Sequence, residues 1–499
     1  MYYKPIRYAL AALILVLTSI ALNPARAAQG TSTSPPNNQI DRFLDRVAKA
    51  GYLVQEGGVS VVDLDYNYCA GNLWTSTYPN PGSPYFGAAL PPSPLQIAPN
   101  WTPINFRLRE DEAMVVIGTT PPPSAYFSLN MSMLNGTLRK DVGPPLLWVP
   151  VIDPVNNRTV QTTGAVPFSQ PFVVVATGHQ RTQNEVHAML RSAGLESAIN
   201  NTPIAPALFR LGLDQDAEQF AFAARVALPT SKADIDAYVA AFNDNIPVSN
   251  RPMRIFRVRP AIAGKDQIQP VYGPDPVPVP QLRVAGTGKS ELDMYPTLKL
   301  LRKRIIDAYS ASYNYIDVEI DPALQQPYSG LQRARGYTNF PVQDGVDNGA
   351  TDAIYLGSDN FPLPTGAFLV AYGTHHRATG KATYSGVAVY ADPVAAVGLA
   401  AVNSPDLQGS AADYINDQPN ADMFYAWTFT RGANSGSHVT QLMTAGAPEK
   451  YCQTRFGLTQ PVDLNMLRIF ARAYMEPGTN TRPYESELIL DRILVFTPK

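Results

Sequence analysis

Cysteine and histidine are scarce: 499 residues hold two cysteines and five histidines. That excludes the cysteine-rich zinc modules and dense disulfide scaffolds. Charged residues make up only 16% of the chain and the formal net charge is −2, so the concentrated basic footprint of a nucleic-acid partner is missing. The G-x-S-x-G elbow of many serine hydrolases is absent; the nearest stretch, GANSGSH, sets Ser435 and Ser437 beside His438 in the wrong frame. The segment GTGKS has Gly288 and Lys289 in place, yet the position where a phosphate loop needs its first glycine is Arg283, which argues against a nucleotide ligand. A flexible turn is the expectation there.

Long apolar runs are also missing. The stretch Ala9 to Leu22 falls short of the roughly 20 residues a spanning helix needs. Lys4 and Arg7 precede it and Ala25-Arg26-Ala27 follows, the pattern of a secretory signal peptide over 1–27. Cleavage near Ala28 predicts a periplasmic or secreted protein with no transmembrane segment. Without Lys4, Arg7 and Arg26, 36 basic residues face 41 acidic ones. In an oxidising compartment Cys69 and Cys452 are the expected disulfide, with two separate buried thiols as the alternative.

Proline and tyrosine are abundant, at 46 and 26 residues, which favours twisted sheets with many turns over helical bundles. A polar tether over 28–38 leads into IDRFLDRVAKAGY, where Ile40, Phe43, Leu44 and Val47 recur at helical spacing. TQNEVHAMLRSAG predicts a helix ending at Gly194, and SKADIDAYVAAFN a helix capped by Ser231. GPDPVPVPQ predicts a stiff extended link, and LKLLRKRIIDAYSASY a helix after it. Together they form a junction over 273–312 between a first domain, 39–272, and a second, 313–499.

The two domains resemble each other. FRLREDEAMVVIGTT from Phe106 aligns without gaps on FPLPTGAFLVAYGTH from Phe361, pairing Val115 with Val370 and Gly118 with Gly373. Tyr85-Phe86-Gly87 pairs with Tyr355-Leu356-Gly357, and Phe127-Ser128 with Tyr384-Ser385. Farther on, the stretches ending at Arg225 and Arg431 pair, as do MRIF from Met253 and LRIF from Leu467. The order of these matches predicts an internal duplication. The fold class expected is α+β and β-rich: two tandem related antiparallel sandwich or jelly-roll halves with decorating helices. AFLVAYGTHHRATGKATYSGVAVY reads as a strand, a turn and a returning strand.

The segments FRLREDEAMVVIGTTPPPSAYFSL and NGATDAIYLGS resemble the strand-turn-strand core of exported bacterial domains of unknown function with a double β-sandwich build. The resemblance implies a sandwich and an exported protein, and carries over no functional residue.

Candidate chemistry gathers in the second domain. His375 and His376 follow the repeated strand, where an exposed hairpin tip is expected, and imidazole suits proton transfer near neutral pH. With Asp352 they are the candidate catalytic residues of a hydrolase or lyase. The loop QDGVDNGATDAIYLGSDN offers Asp344, Asp347 and Asp352 as oxygen ligands of the kind calcium prefers, although Asx residues also build tight turns. No other cofactor is indicated. His179 and His187 lack zinc-site spacing. Tyr355, Tyr384 and Arg431 are the candidate ligand-binding residues. The leading expectation is a binding protein that takes a small molecule or glycan in a cleft between the halves.

Overall fold

The computed structural model describes residues 37–499 apart from 74, 77, 98, 101, 134–148, 262–267, 322–350, 393 and 433–435. The leader, residues 28–36 of the tether, and Asp344 and Asp347 of the acidic loop lie outside the described residues. None of the described helices is long and apolar enough to cross a membrane.

The chain begins with α1 (Asn37–Lys49), β1 (Tyr52–Val61), α2 (Leu64–Cys69), β2 (Tyr85–Ala89), β3 (Ala113–Thr119) and β4 (Ser124–Met133). Two short strands, β5 (Val149–Pro150) and β6 (Val155–Asn156), precede β7 (Pro171–Thr177), α3 (Gln180–Ser192), β8 (Ile199–Pro203), β9 (Phe220–Pro229), α4 (Lys232–Ala240) and β10 (Met253–Pro260). Ten strands form one sheet in the order β5-β4-β9-β2-β1-β10-β3-β7-β8, with β6 added on β4. β1 changes partner in its middle: up to Gly57 it pairs with β10, and from Gly58 with β2. A Cβ on Gly57 would stand 2.3 Å from the carbonyl oxygen of Ala89, so only glycine allows that approach.

β3 is buried along its whole length, and period 2 sorts its residues between two cores. Met114 and Val116 face an inner core with Val59, Phe86, Phe127, Val174, Phe222 and Val226. Ala113, Val115 and Ile117 face outward, where Phe43 and Val47 of α1 and Val186 and Leu190 of α3 cover them. The predicted helices are all found. Ser231 caps α4 by accepting a hydrogen bond from the Asp234 N–H at 3.2 Å, and His179 caps α3 by accepting from Thr182 N–H.

The chain continues through α5 (Tyr295–Tyr309), β11 (Tyr313–Val318), β12 (Ile320–Asp321), β13 (Ala353–Ser358), β14 (Phe361–Pro362), β15 (Phe368–Thr374) and β16 (Tyr384–Ala391). After them come β17 (Val397–Asn403), β18 (Phe424–Thr430), β19 (Val439–Gln441), β20 (Met466–Tyr474) and β21 (Arg492–Pro498). They form a five-stranded sheet, β11-β21-β15-β18-β19, and a six-stranded sheet, β12-β13-β20-β16-β17, with β14 on β20. Leu369 and Ala371 point into the core between these sheets, with Leu356, Val387, Ile469 and Val495. Phe368, Val370 and Tyr372 point outward under Leu298, Leu301 and Ile305 of α5.

The fold is thus β-rich α+β, and strand neighbours recur. β3 lies between β10 and β7, and β7 pairs in parallel with β8. β15 lies between β21 and β18, and β18 pairs in parallel with β19. β9 is flanked by β2 and β4, and β20 by β13 and β16.

Several expectations need correction. β15 and β16 are not a hairpin but belong to different sheets; both are buried throughout, so each needs two strand neighbours and two covered faces, and the turn between them crosses a sandwich. Arg225 sits mid-strand in β9, whereas Arg431 follows β18, so the two are not equivalent; the residue on β20 with Arg225's cross-strand setting is Arg472. Tyr126 rather than Phe127 matches Tyr384, because each stands two residues before the partner of that arginine. MRIF belongs to β10, beside β3, and LRIF to β20 in the other kind of sheet. The proline-rich link, expected stiff and extended, also packs on the chain: Val277 is buried and its N–H donates to Gly178 O at 3.0 Å.

Candidate ligand site where two sheets meet

The outward face of β20 carries Arg468, Phe470, Arg472 and Tyr474 in alternation with the core residues Ile469, Ala471 and Ala473. Such a row would ordinarily face water. Here it is covered by the outward faces of β4 and β9 and by the segment between β1 and β2, and a cluster of buried tyrosines and arginines results: Tyr126, Tyr384 and Tyr474 are at most 1% exposed.

Arg225 organises one side. Its Nε donates to Ser128 Oγ at 3.1 Å, one Nη to Tyr126 OH at 2.9 Å and the other to Tyr355 OH. Its guanidinium lies 4.5 Å from the Tyr474 ring centre, a cation–π distance. Asp352, fully buried, accepts from Tyr126 OH at 3.1 Å and from Asn156 Nδ2 at 2.6 Å, and stands 4.0 Å from Arg225. Burial raises the Asp352 carboxyl above its usual range, against the charge of Arg225 and the Asn156 hydrogen bond. On the other side Arg472 donates to Tyr78 O at 2.7 Å and to Tyr390 OH at 2.5 Å. Tyr384 OH donates to Asn403 Oδ1 at 2.8 Å and accepts from Asn80 Nδ2 at 2.6 Å; burial pushes its phenol up to about 12 despite the nearby Arg472. Within this cluster, Arg472 Nε and Tyr474 OH are buried without a hydrogen-bond partner among the described residues.

Of the sequence-predicted ligand residues, Tyr355 and Tyr384 lie in this cluster. Arg431 does not: it donates to the carbonyls of Leu363, at 2.8 Å, and Leu464. Sequence reasoning placed Arg225 only in the repeat and passed over Arg472, Tyr126 and Tyr474, although the period-2 row Arg468, Arg472, Tyr474 was a readable signal.

His375 and His376 are each 3% exposed rather than at an open hairpin tip. His375 Nε2 donates to Ser404 O at 2.6 Å while Nδ1 accepts from Ala378 N–H, and burial lowers its pKa. His376 Nδ1 lies 3.0 Å from Glu291 Oε1, and its Nε2 is 3.7 Å from Asp491. Burial alone would discharge His376, but the Glu291 charge, the nearby Asp491 carboxylate and the hydrogen bond to Glu291 raise its pKa to about 10. Burial likewise opposes the Glu291 charge, yet His376 and Thr379 bring that carboxyl to about 2. The stabilisation from His376 is therefore complete below about 6.5 and lost as pH rises through 10; that from Glu291 is complete above about 4.5 and lost as pH falls through 2. Between pH 6 and pH 9 we expect the pair to lose on the order of 2 kcal/mol of unfolding free energy. A His376→Gln/Glu291→Gln double variant should flatten that slope in denaturant titrations, and an unchanged slope would contradict the assignment.

Asp352, the third candidate catalytic residue, is bonded to Tyr126 and Asn156 and not to either histidine. Among the described residues no group of three His, Cys, Asp or Glu side chains is placed to hold a metal. His438 Nδ1 faces both Asp413 Oδ2, at 2.7 Å, and Ser437 Oγ, at 3.4 Å. A serine relay needs the serine on Nε2 and the carboxylate on Nδ1, so this trio is not one. The GTGKS turn does bind an anion, but one of the chain's own: Gly286 and Gly288 both have φ of +82°, and the N–H groups of Thr287 and Gly288 donate to the Glu487 carboxylate at 3.2 and 2.5 Å.

No family model matches the chain, and no curated protein is similar to it. Among solved structures, the chain is similar to an uncharacterized protein from Burkholderia cenocepacia at 12% identity, over 92% of this chain and 87% of that one, with a TM-score of 0.39. It is also similar to the VPA0106 protein from Vibrio parahaemolyticus at 9% identity, over 92% of this chain and 98% of that one, with a TM-score of 0.35.

Proposed function

We propose that the protein is an exported binding protein, made of two copies of one sandwich unit, that takes a small molecule or glycan where the outward faces of β9 and β20 meet. The repeated strand neighbours of β3 and β15, and of β9 and β20, support the duplication, with halves over 39–272 and 313–499. The leader pattern and the disulfide support export. The observation that carries the binding reading is the cluster itself: half-buried Tyr85 and Tyr355 stand at the rim, and behind them two arginines and three buried tyrosines converge. A hydrolase or lyase acting through His375, His376 and Asp352 is the second reading and has less support, since hydrogen bonds or buried carboxylates hold those imidazoles. Thermal unfolding and calorimetry of the protein starting at Ala28, against a panel of sugars and aromatic acids and alcohols, test the proposal. A ligand at a hundred times its Kd should add about 2.7 kcal/mol of stability, and that gain should vanish in Tyr355→Ala. A panel with no stabilising member would sink the reading.

A further inference from the structure

Resting on that reading, we infer that the molecule bound at the junction of β9 and β20 is a small organic carboxylate, held by Arg472 and Tyr474. Among the described residues the charges at the site do not balance. Arg225, Arg468 and Arg472 flank the cluster, and the one ion pair among them in the described residues is Arg225 with Asp352, at 4.0 Å. Arg472, 3% exposed, meets uncharged oxygens among the described residues: Tyr78 O, Pro79 O and Tyr390 OH. Arg468 likewise donates to Ser358 O at 2.7 Å and to Tyr78 OH at 3.1 Å. A buried guanidinium without a counter-charge is costly, and an anion beside it removes that cost.

The unpartnered groups point the same way. Arg472 Nε–H can only donate, and the phenol of Tyr474 donates more readily than it accepts beside two cations. Both lie buried without a partner, and both residues project from the same face of β20, two positions apart. A carboxylate has two oxygens and accepts from both, with the strength of charge-assisted hydrogen bonds. Neither a sugar hydroxyl nor a neutral amide answers the surplus charge. The rings around these donors pack on one another, with Tyr384 and Tyr126 centred 4.7 and 4.8 Å from Tyr474, and give the donors an aromatic surround, so an aromatic carboxylate is the probe used.

Calorimetric titration of the full protein with benzoate and 4-hydroxybenzoate, and with benzyl alcohol as the uncharged counterpart, tests the inference. The carboxylates should bind and the alcohol should not, and Tyr474→Phe should weaken carboxylate binding about tenfold. Because that variant removes only an unsatisfied hydroxyl, its thermal midpoint without ligand should not fall, so lost binding cannot be ascribed to misfolding. If benzyl alcohol or a sugar binds as well as the acids, the carboxylate assignment fails while the binding reading stands. If carboxylates bind but Tyr474→Phe leaves their affinity unchanged, the assignment to Arg472 and Tyr474 fails. Should no member of either kind bind, both fall together.

Discussion

Replacing Cys69 with serine is expected to lower the free energy of unfolding by about 2–5 kcal/mol. The two cysteines form a disulfide with their Cα atoms 5.4 Å apart and 383 positions apart in sequence, so the bond closes a loop of most of the chain, where the entropy removed from the unfolded ensemble is largest. It also fastens a particular contact. Cys69 ends α2, and Cys452 lies in the helix Lys450–Phe456. Nearby, Asp65 accepts from Tyr451 OH at 2.7 Å, Tyr68 donates to Pro461 O at 2.6 Å, and Ser76 donates to the carbonyls of Ala395 and Ala396. These bonds hold the segment between β1 and β2 against β17 and its surroundings. Denaturant unfolding of the oxidised protein beside Cys69→Ser and Cys452→Ser measures the effect. The two variants should lose the same amount, and a loss below about 1 kcal/mol in both would refute the account.

Glu112→Ala is expected to cost about 3–5 kcal/mol, because it strands a guanidinium in the interior. Arg257 and Glu112 have no exposed side-chain surface and meet at 2.6 Å. Arg257 also donates to the carbonyls of Arg107 and Pro91, and Glu112 accepts from the backbone N–H of Arg109 at 3.1 Å. The pair ties β10 to the turn before β3, beside a second buried pair, Arg109 with Asp111 at 2.5 Å. Removing one partner leaves a charge with too few counter-groups, whereas Glu112→Leu with Arg257→Met removes both and should recover most of the loss. A double variant no more stable than Glu112→Ala would show that the hydrogen bonds to Arg107, Pro91 and Arg109, rather than the charges, dominate.

Local pattern carried far in this chain. The gapless match of Phe106–Thr119 on Phe361–Thr374 fell on β3 and β15, because strands with both faces covered keep unbroken apolar runs. The helices α1, α3, α4 and α5 were readable from spacing and caps. Sheet membership was not: β15 and β16 look like a hairpin because they are neighbours in sequence, and nothing local says that the turn at His375 crosses to another sheet. Nor could the sequence reveal that His376 would meet Glu291 and Asp491, 85 and 115 positions away. Tyr355 and Tyr384 were legible as aromatic candidates, but of their partners Arg225 was read as part of a repeat and Arg472 was passed over. Which outward face of a strand becomes an interior is decided by what packs on it.

The span of the disulfide has a consequence for synthesis. At roughly 5–20 residues per second, the ribosome needs about 20–80 s between making Cys69 and making Cys452. Throughout that interval the first thiol has no mate, and α2 lacks the helix it will lean on. Oxidation of this bond is therefore a late event, one that seals a nearly finished chain instead of guiding its first steps.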